Sequence, residues 1–191
     1  MRTGVAVVST DGHVTLANLV TSGSTLINNP ASGPLMMAWA PDSSRVAFVS
    51  DRTTPSVWEL FVAGTDGSGP VTVSGTMVAN GDLGGNNDNI TNPTFAWSAD
   101  SSQLAFRADK DTNNQTQLYV TQADASSTPT LVSQNTAGFG NVFDFAWSPD
   151  GNWLAYIAPE DIAGSIELYA VSSDLSQRNK LSTPATTSDM D

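Results

Sequence analysis

The sequence predicts an all-β chain: a β-propeller segment of about four blades, each a four-stranded antiparallel sheet, with the first blade lacking its innermost strand. Three observations carry this reading. A block built around tryptophan recurs, the apolar runs after it keep a fixed offset, and the segments between runs are made of turn-forming residues. A repeat of roughly 20 to 50 residues decides a fold before any local feature does.

The tryptophan block comes first. Leu35-Met36-Met37-Ala38-Trp39-Ala40-Pro41-Asp42 matches Pro93-Thr94-Phe95-Ala96-Trp97-Ser98-Ala99-Asp100 and Phe143-Asp144-Phe145-Ala146-Trp147-Ser148-Pro149-Asp150, with tryptophans 58 and 50 residues apart. A second run follows each block, Arg45 to Ser50, Gln103 to Ala108 and Trp153 to Ala158, and Gly4 to Ser9 fits the same template without a tryptophan before it. The third runs are Val57 to Val62, Thr116 to Val120 and Ser165 to Ala170. The alanine of the second run precedes the leucine of the third by 13 residues in all three copies. Fourth runs close the units at Val71-Thr72-Val73, Thr130-Leu131-Val132 and Lys180-Leu181-Ser182. The first copy continues more tightly, through His13 to Ala17 and Thr25 to Ile27.

Short runs rich in β-branched and aromatic residues, separated by Asp-Gly, Gly-Ser, Asp-Ser or Asn-rich segments, are strands joined by hairpins. Pro149-Asp150-Gly151 and Thr65-Asp66-Gly67 are turns with a mechanism, since proline presets φ and glycine supplies positive φ. Four strands in each unit of this length describe a propeller blade. The expected division is a partial blade over 1–29, blades over 34–77, 92–134 and 142–183, and a tail over 184–191.

Composition narrows the function. The 191 residues are 39% hydrophobic, enough for a folded core, and 19 acidic against seven basic side chains leave a net charge of -12. That balance argues against nucleic acid and anionic lipid as partners, which call for clustered Lys and Arg. There is no cysteine, which excludes disulfides, thiolate nucleophiles and Cys-based metal sites. No stretch approaches the roughly 20 apolar residues of a spanning helix, so membrane insertion is not expected, and Met1-Arg2-Thr3-Gly4 opens no signal-type segment.

The run Trp-Ser-Pro-Asp-Gly, then an apolar-Ala-aromatic strand, then Glu-Leu-Tyr resembles the TolB-like propeller repeat, a relative of the WD repeat. Phe145-Ala146-Trp147-Ser148-Pro149-Asp150-Gly151-Asn152-Trp153-Leu154-Ala155-Tyr156 is the best copy, and the resemblance extends from Gly4 to about Leu181. It departs at Ala99, which replaces the proline, and at Ser43 and Ser101, which replace the glycine and are expected to adjust the turns. The resemblance implies a disc whose faces and channel bind partners, with the tryptophan run innermost in each blade, and a periplasmic or extracellular location. It also implies two kinds of relative, a docking protein and the non-catalytic propeller of a serine peptidase.

Catalytic candidates are few. His13, the single histidine, follows Asp11 and Gly12 and reads as structural or solvent-exposed; no Gly-x-Ser-x-Gly elbow accompanies it, and Gly67-Ser68-Gly69 reads as a turn. Ser148 to Trp153 resembles the sialidase Asp box only in part, because its glycine directly follows the aspartate. Arg2, Arg45, Arg52, Arg107 and Arg178 do not form an evident cluster for such an enzyme. Asn80 to Asn89 is a long, oxygen-rich insertion that either ligates calcium or forms a surface turn, and Asp109 to Asn114 is a weaker case of the same kind. Trp39, Trp97 and Trp147 are expected to pack between blades, and Trp58 and Trp153 to make exposed contacts.

The expectation is therefore no enzyme, no catalytic residue, no metal ligand and no cofactor. A non-catalytic protein-binding or assembly module would complete its ring with a second copy or a partner protein. Self-closure as a four-bladed disc, the accessory propeller of a hydrolase and a glycan-binding propeller are the alternatives.

Overall fold

The computed structural model describes residues 36–84, 94–134, 140–161 and 165–182, together with the backbone of three strands nearer the amino terminus. Those three, β1 (Val5–Val8), β2 (Val14–Ala17) and β3 (Ser24–Leu26), form one antiparallel sheet in chain order. Three four-stranded antiparallel sheets follow. The second blade holds β4 (Met37–Trp39), β5 (Arg45–Ser50), β6 (Glu59–Gly64) and β7 (Val71–Thr72). The third holds β8 (Phe95–Trp97), β9 (Gln103–Ala108), β10 (Gln117–Gln122) and β11 (Thr130–Leu131), and the fourth β12 (Asp144–Trp147), β13 (Trp153–Ala158), β14 (Glu167–Ser172) and β15 (Arg178–Lys180). Every sheet is a simple up-and-down meander. No helix occurs among the described residues.

Alternation along each strand gives every four-stranded blade two apolar faces, both of which are buried in the second and third blades and one of which is buried in the fourth. One face of the second blade (Ala47, Val49, Leu60, Val62, Val73) meets one face of the third (Phe95, Trp97, Leu104, Phe106, Tyr119) in a single cluster. The other face of the third (Ala105, Leu118, Val120, Val132) meets the fourth (Phe145, Leu154, Tyr156, Tyr169, Val171). Each four-stranded blade also carries a stacked aromatic pair bridging its two central strands: Phe48 and Phe61 at 5.6 Å, Phe106 and Tyr119 at 5.4 Å, Tyr156 and Tyr169 at 5.3 Å. β8 and β12 approach each other directly, so the tryptophan strands form the inner ends of the blades.

The hairpins repeat as faithfully as the strands. Asp42, Asp100 and Asp150 accept the backbone amide two residues on, from Ser44, Ser102 and Asn152, between the first and second strands of their blades. Asp66, Asp124 and Asp174 do the same for Ser68, Ser126 and Ser176 between the third and fourth. The residue after each aspartate is left-handed: Ser43, Ser101, Gly151, Gly67, Ala125 and Leu175 have φ between 59° and 85°. Ser43 (63°) and Ser101 (65°) therefore adopt the conformation of Gly151 (73°) instead of adjusting the turn, held by the Asx bond at the preceding residue.

The fourth runs need a one-residue correction. Val73, Val132 and Leu181 each donate their amide to the carbonyl of Leu60, Leu118 and Leu168, and the serine after each accepts that leucine's own amide. Val132, not Leu131, is thus the counterpart of Val73. In the fourth blade the strand proper is Arg178–Lys180, just ahead of Leu181.

Candidate functional site

The blades are joined by specific bonds as well as by apolar packing. The Trp97 indole Nε1 donates to the Ala38 carbonyl at 3.1 Å, and Trp147 Nε1 to the Ala96 carbonyl at 3.3 Å. Each tryptophan so reaches the alanine beside its own counterpart in the preceding blade. Arg45 donates to the Ser101 carbonyl and lies over the Trp97 ring, while the Asp42 amide donates to Ser101 Oγ at 3.0 Å. Arg107, buried, donates to the Val142 and Phe143 carbonyls at 3.0 and 2.7 Å. Trp39 packs beside Val46, Phe48, Phe61 and Ala63 on the opposite face of the second blade.

The insertion after the second blade works as a brace. Asp82 Oδ1 accepts the Trp58 amide at 2.8 Å, Leu83 donates to the Trp58 carbonyl, Gly84 donates to the Arg107 carbonyl, and the Asp82 amide donates to Asp109. Burial, with the Asp109 charge nearby, raises the Asp82 carboxyl above the usual range. Trp58 is accordingly half-buried against the cluster between the second and third blades, not exposed as the sequence led us to expect. Residues 85–89 of the insertion lie outside the described residues. Among the described residues, no three acids converge as a metal site would require.

Asp109 stays in the hairpin loop between β9 and β10, where its Oδ2 accepts the Asn114 amide at 2.8 Å. Ser148 Oγ donates to Asp150 and accepts the Trp153 amide, so the partial Asp-box resemblance at Ser148 to Trp153 is a turn and its following strand. Gly67-Ser68-Gly69 is likewise a hairpin turn, with Gly67 at φ 85°. Arg45 and Arg107 are committed between blades, and Arg178 pairs with Glu160 and covers the Tyr169 ring. His13, Asp11 and Arg2 lie outside the described residues.

One sheet face breaks the pattern of coverage. Leu60 and Leu118 are 0% exposed, whereas their counterpart Leu168 is 37% exposed; Val73 and Val132 are 2% and 6% exposed against 56% for Leu181. Ile166 is exposed on the same blade, and Trp153 is half-buried on that face, at the position from which Arg45 reaches the next blade.

No protein-family model and no curated protein matches the chain. Solved structures do. A putative TolB from Agrobacterium tumefaciens superposes with a TM-score of 0.55 at 14% identity, over 93% of this chain and 57% of that one. The fold is that of a TolB-like β-propeller. A chain of the nidogen/laminin complex matches this propeller with a TM-score of 0.52 at 12% identity, over 91% of the chain and 57% of its own length. A puromycin hydrolase S511A mutant complexed with PGG gives 0.60 at 12% identity, over 92% of the propeller chain and 25% of the hydrolase. The chain spans little more than half the length of the first of these structures. No described helix is long and apolar enough to cross a membrane.

Proposed function

We propose that the chain is a non-catalytic binding and assembly module whose fourth blade receives a further sheet, contributed by a second copy or by a partner protein. The observation that carries this reading is the exposure of Leu168 and Leu181 at positions buried in both preceding blades. Removing apolar surface from water stabilises by roughly 25 cal/mol per Å², so covering what Leu168 and Leu181 leave exposed favours an occupant. Contiguous bare apolar surface of this kind marks interfaces in soluble proteins. The occupant is itself a sheet with an aromatic inner strand, because that is what covers the same positions twice within the chain. The net charge of -12 favours a basic or neutral partner and disfavours nucleic acid. A periplasmic or extracellular setting fits this role.

The cysteine-free background offers a direct test. A single Ala170→Cys substitution places one thiol on the outward face, at the counterpart of buried Val62 and Val120. Maleimide labelling that slows as the protein, or its partner, is concentrated supports the reading. Labelling at the rate of a free thiol under every condition overturns it.

The puromycin hydrolase match favours a second reading, the accessory propeller of a hydrolase. A gene that continues into a hydrolase domain would support it; a gene without one would remove it. Glycan binding through Trp58 is disfavoured, since that ring is packed beneath the insertion.

A further inference from the structure

The third strand of each blade opens on a polar residue at the same register position. Glu59, Gln117 and Glu167 pair with Ser50, Ala108 and Ala158 across β5, β9 and β13. Two residues later stand Phe61, Tyr119 and Tyr169, opposite Thr72, Leu131 and Lys180 on the outer strand.

In the fourth blade this polar group is saturated. Glu167 accepts the Tyr169 hydroxyl at 2.7 Å and the Asp161 amide at 2.9 Å, and its other oxygen takes the Lys180 ammonium. In the third blade an amide replaces the acid, and the Gln117 side-chain oxygen accepts from Ser133 Oγ. The second blade keeps the carboxylate but lacks the tyrosine and lysine donors of the fourth. Phe61 has no hydroxyl where Tyr169 has one, and Thr72 stands where Lys180 stands. Glu59 is only 7% exposed; the Thr53 hydroxyl bonds to its carboxylate, but Oε2 is buried with no hydrogen-bond partner. An unsatisfied buried carboxylate oxygen is costly, and native proteins seldom leave one without a reason. Glu59 lines an open cleft of about 480 Å³ together with Thr53, Val57, Thr72, Met77 and Val78.

We propose that this cleft binds a primary ammonium group from outside the chain, seated on Glu59 Oε2 as Lys180 is seated on Glu167. The chain itself displays the recognition chemistry: an alkyl stem from the outer strand brings its ammonium beside the Tyr169 ring, where it closes on buried Glu167 and on Asp161. The apolar walls supplied by Val57, Met77 and Val78 suit such a stem. Two sources carry this group, the lysine side chain of a protein and a free alkylamine. The site lies apart from the exposed face of the fourth blade and does not depend on the assembly reading.

The test is a titration of the full chain, followed by backbone amide NMR, with Nα-acetyl-lysine N-methylamide and with n-butylammonium. Saturable shifts centred on Thr53, Glu59 and Thr72 are expected. Affinity should fall by about tenfold or more in Glu59→Gln, as loss of a charge-assisted bond predicts; Gln117 shows that the fold accepts an amide at this position. Thr72→Lys should supply the ammonium internally, abolish the shifts and raise Tm. Tighter binding of the lysine amide than of n-butylammonium identifies a protein lysine as the source, and equal binding a free amine. No saturable shift with either probe, unchanged binding in Glu59→Gln, or a Thr72→Lys protein that still binds both overturns the proposal.

Discussion

The Trp147 indole donates its Nε1 hydrogen to the Ala96 carbonyl 3.3 Å away, across the boundary between the third and fourth blades. Trp97 repeats the contact on Ala38, so one bond type fastens the third blade to the second and the fourth to the third at the inner end.

Replacing Trp97 by Phe keeps most of the buried ring surface and removes the donor. Such a bond contributes about 0.5 to 1.5 kcal/mol net, and the stranded Ala38 carbonyl adds to the loss. Trp97→Phe should therefore lower stability by about 1 to 2 kcal/mol in urea unfolding, with the far-ultraviolet strand signal retained.

The left-handed residues after the turn aspartates give a second prediction. An ordinary side chain in this conformation is disfavoured by about 1 to 2 kcal/mol, part of which glycine returns as entropy in the unfolded chain. Ser43→Gly and Ala125→Gly should each raise Tm, by up to about 1 kcal/mol of stability. Ser101→Gly should not, because Ser101 Oγ accepts the Asp42 amide from the neighbouring blade.

Acid should loosen the fold through identified carboxylates. The Lys180 ammonium holds Glu167 down to about 2 from 4.5, and the Ser172 hydroxyl with the Ser176 amide holds Asp174 down to about 2 from 3.8. Asp42, Asp66, Asp100, Asp124 and Asp150 are lowered by the serine, or serine and asparagine, groups of their turns. A group whose folded value lies below its unfolded one stabilises fully above the unfolded value, and that contribution is lost as pH falls toward the folded one. Tm should therefore drop between about pH 4.5 and pH 2, and more shallowly in Asp174→Asn. Glu59 runs the other way: burial raises it, so its protonated form is the one the fold prefers, and Glu59→Gln should raise Tm near neutral pH.

Much of this architecture was legible in the residues. Strand runs at constant offset, with tryptophan in the first of each, led to the meander sheets and to Trp97 and Trp147 packed between blades. The 24-residue step from Asp42 to Asp66, Asp100 to Asp124 and Asp150 to Asp174 was also present in the sequence, and would have located both hairpins of every blade. The Val-Ser and Leu-Ser pairs at Val73, Val132 and Leu181 held the register of the fourth strands, which the apolar offset alone placed one residue off in the third blade. Trp58 was misjudged because its cover comes from an insertion peculiar to one blade, and a repeat pattern says nothing of what occurs once. Glu59 was invisible for a different reason. A carboxylate becomes noteworthy only when burial and the loss of donors at Phe61 and Thr72 are seen together, and both depend on cross-strand pairing.

The most direct test of the assembly account is the mass in solution by sedimentation velocity, for the wild-type chain alone and with a candidate partner, beside Leu168→Glu. The account predicts a complex larger than one chain, reduced to a folded 20.0 kDa species by the charge placed on the outward face. A wild-type chain that sediments as a stable monomer under all these conditions, indistinguishable from Leu168→Glu, would contradict it.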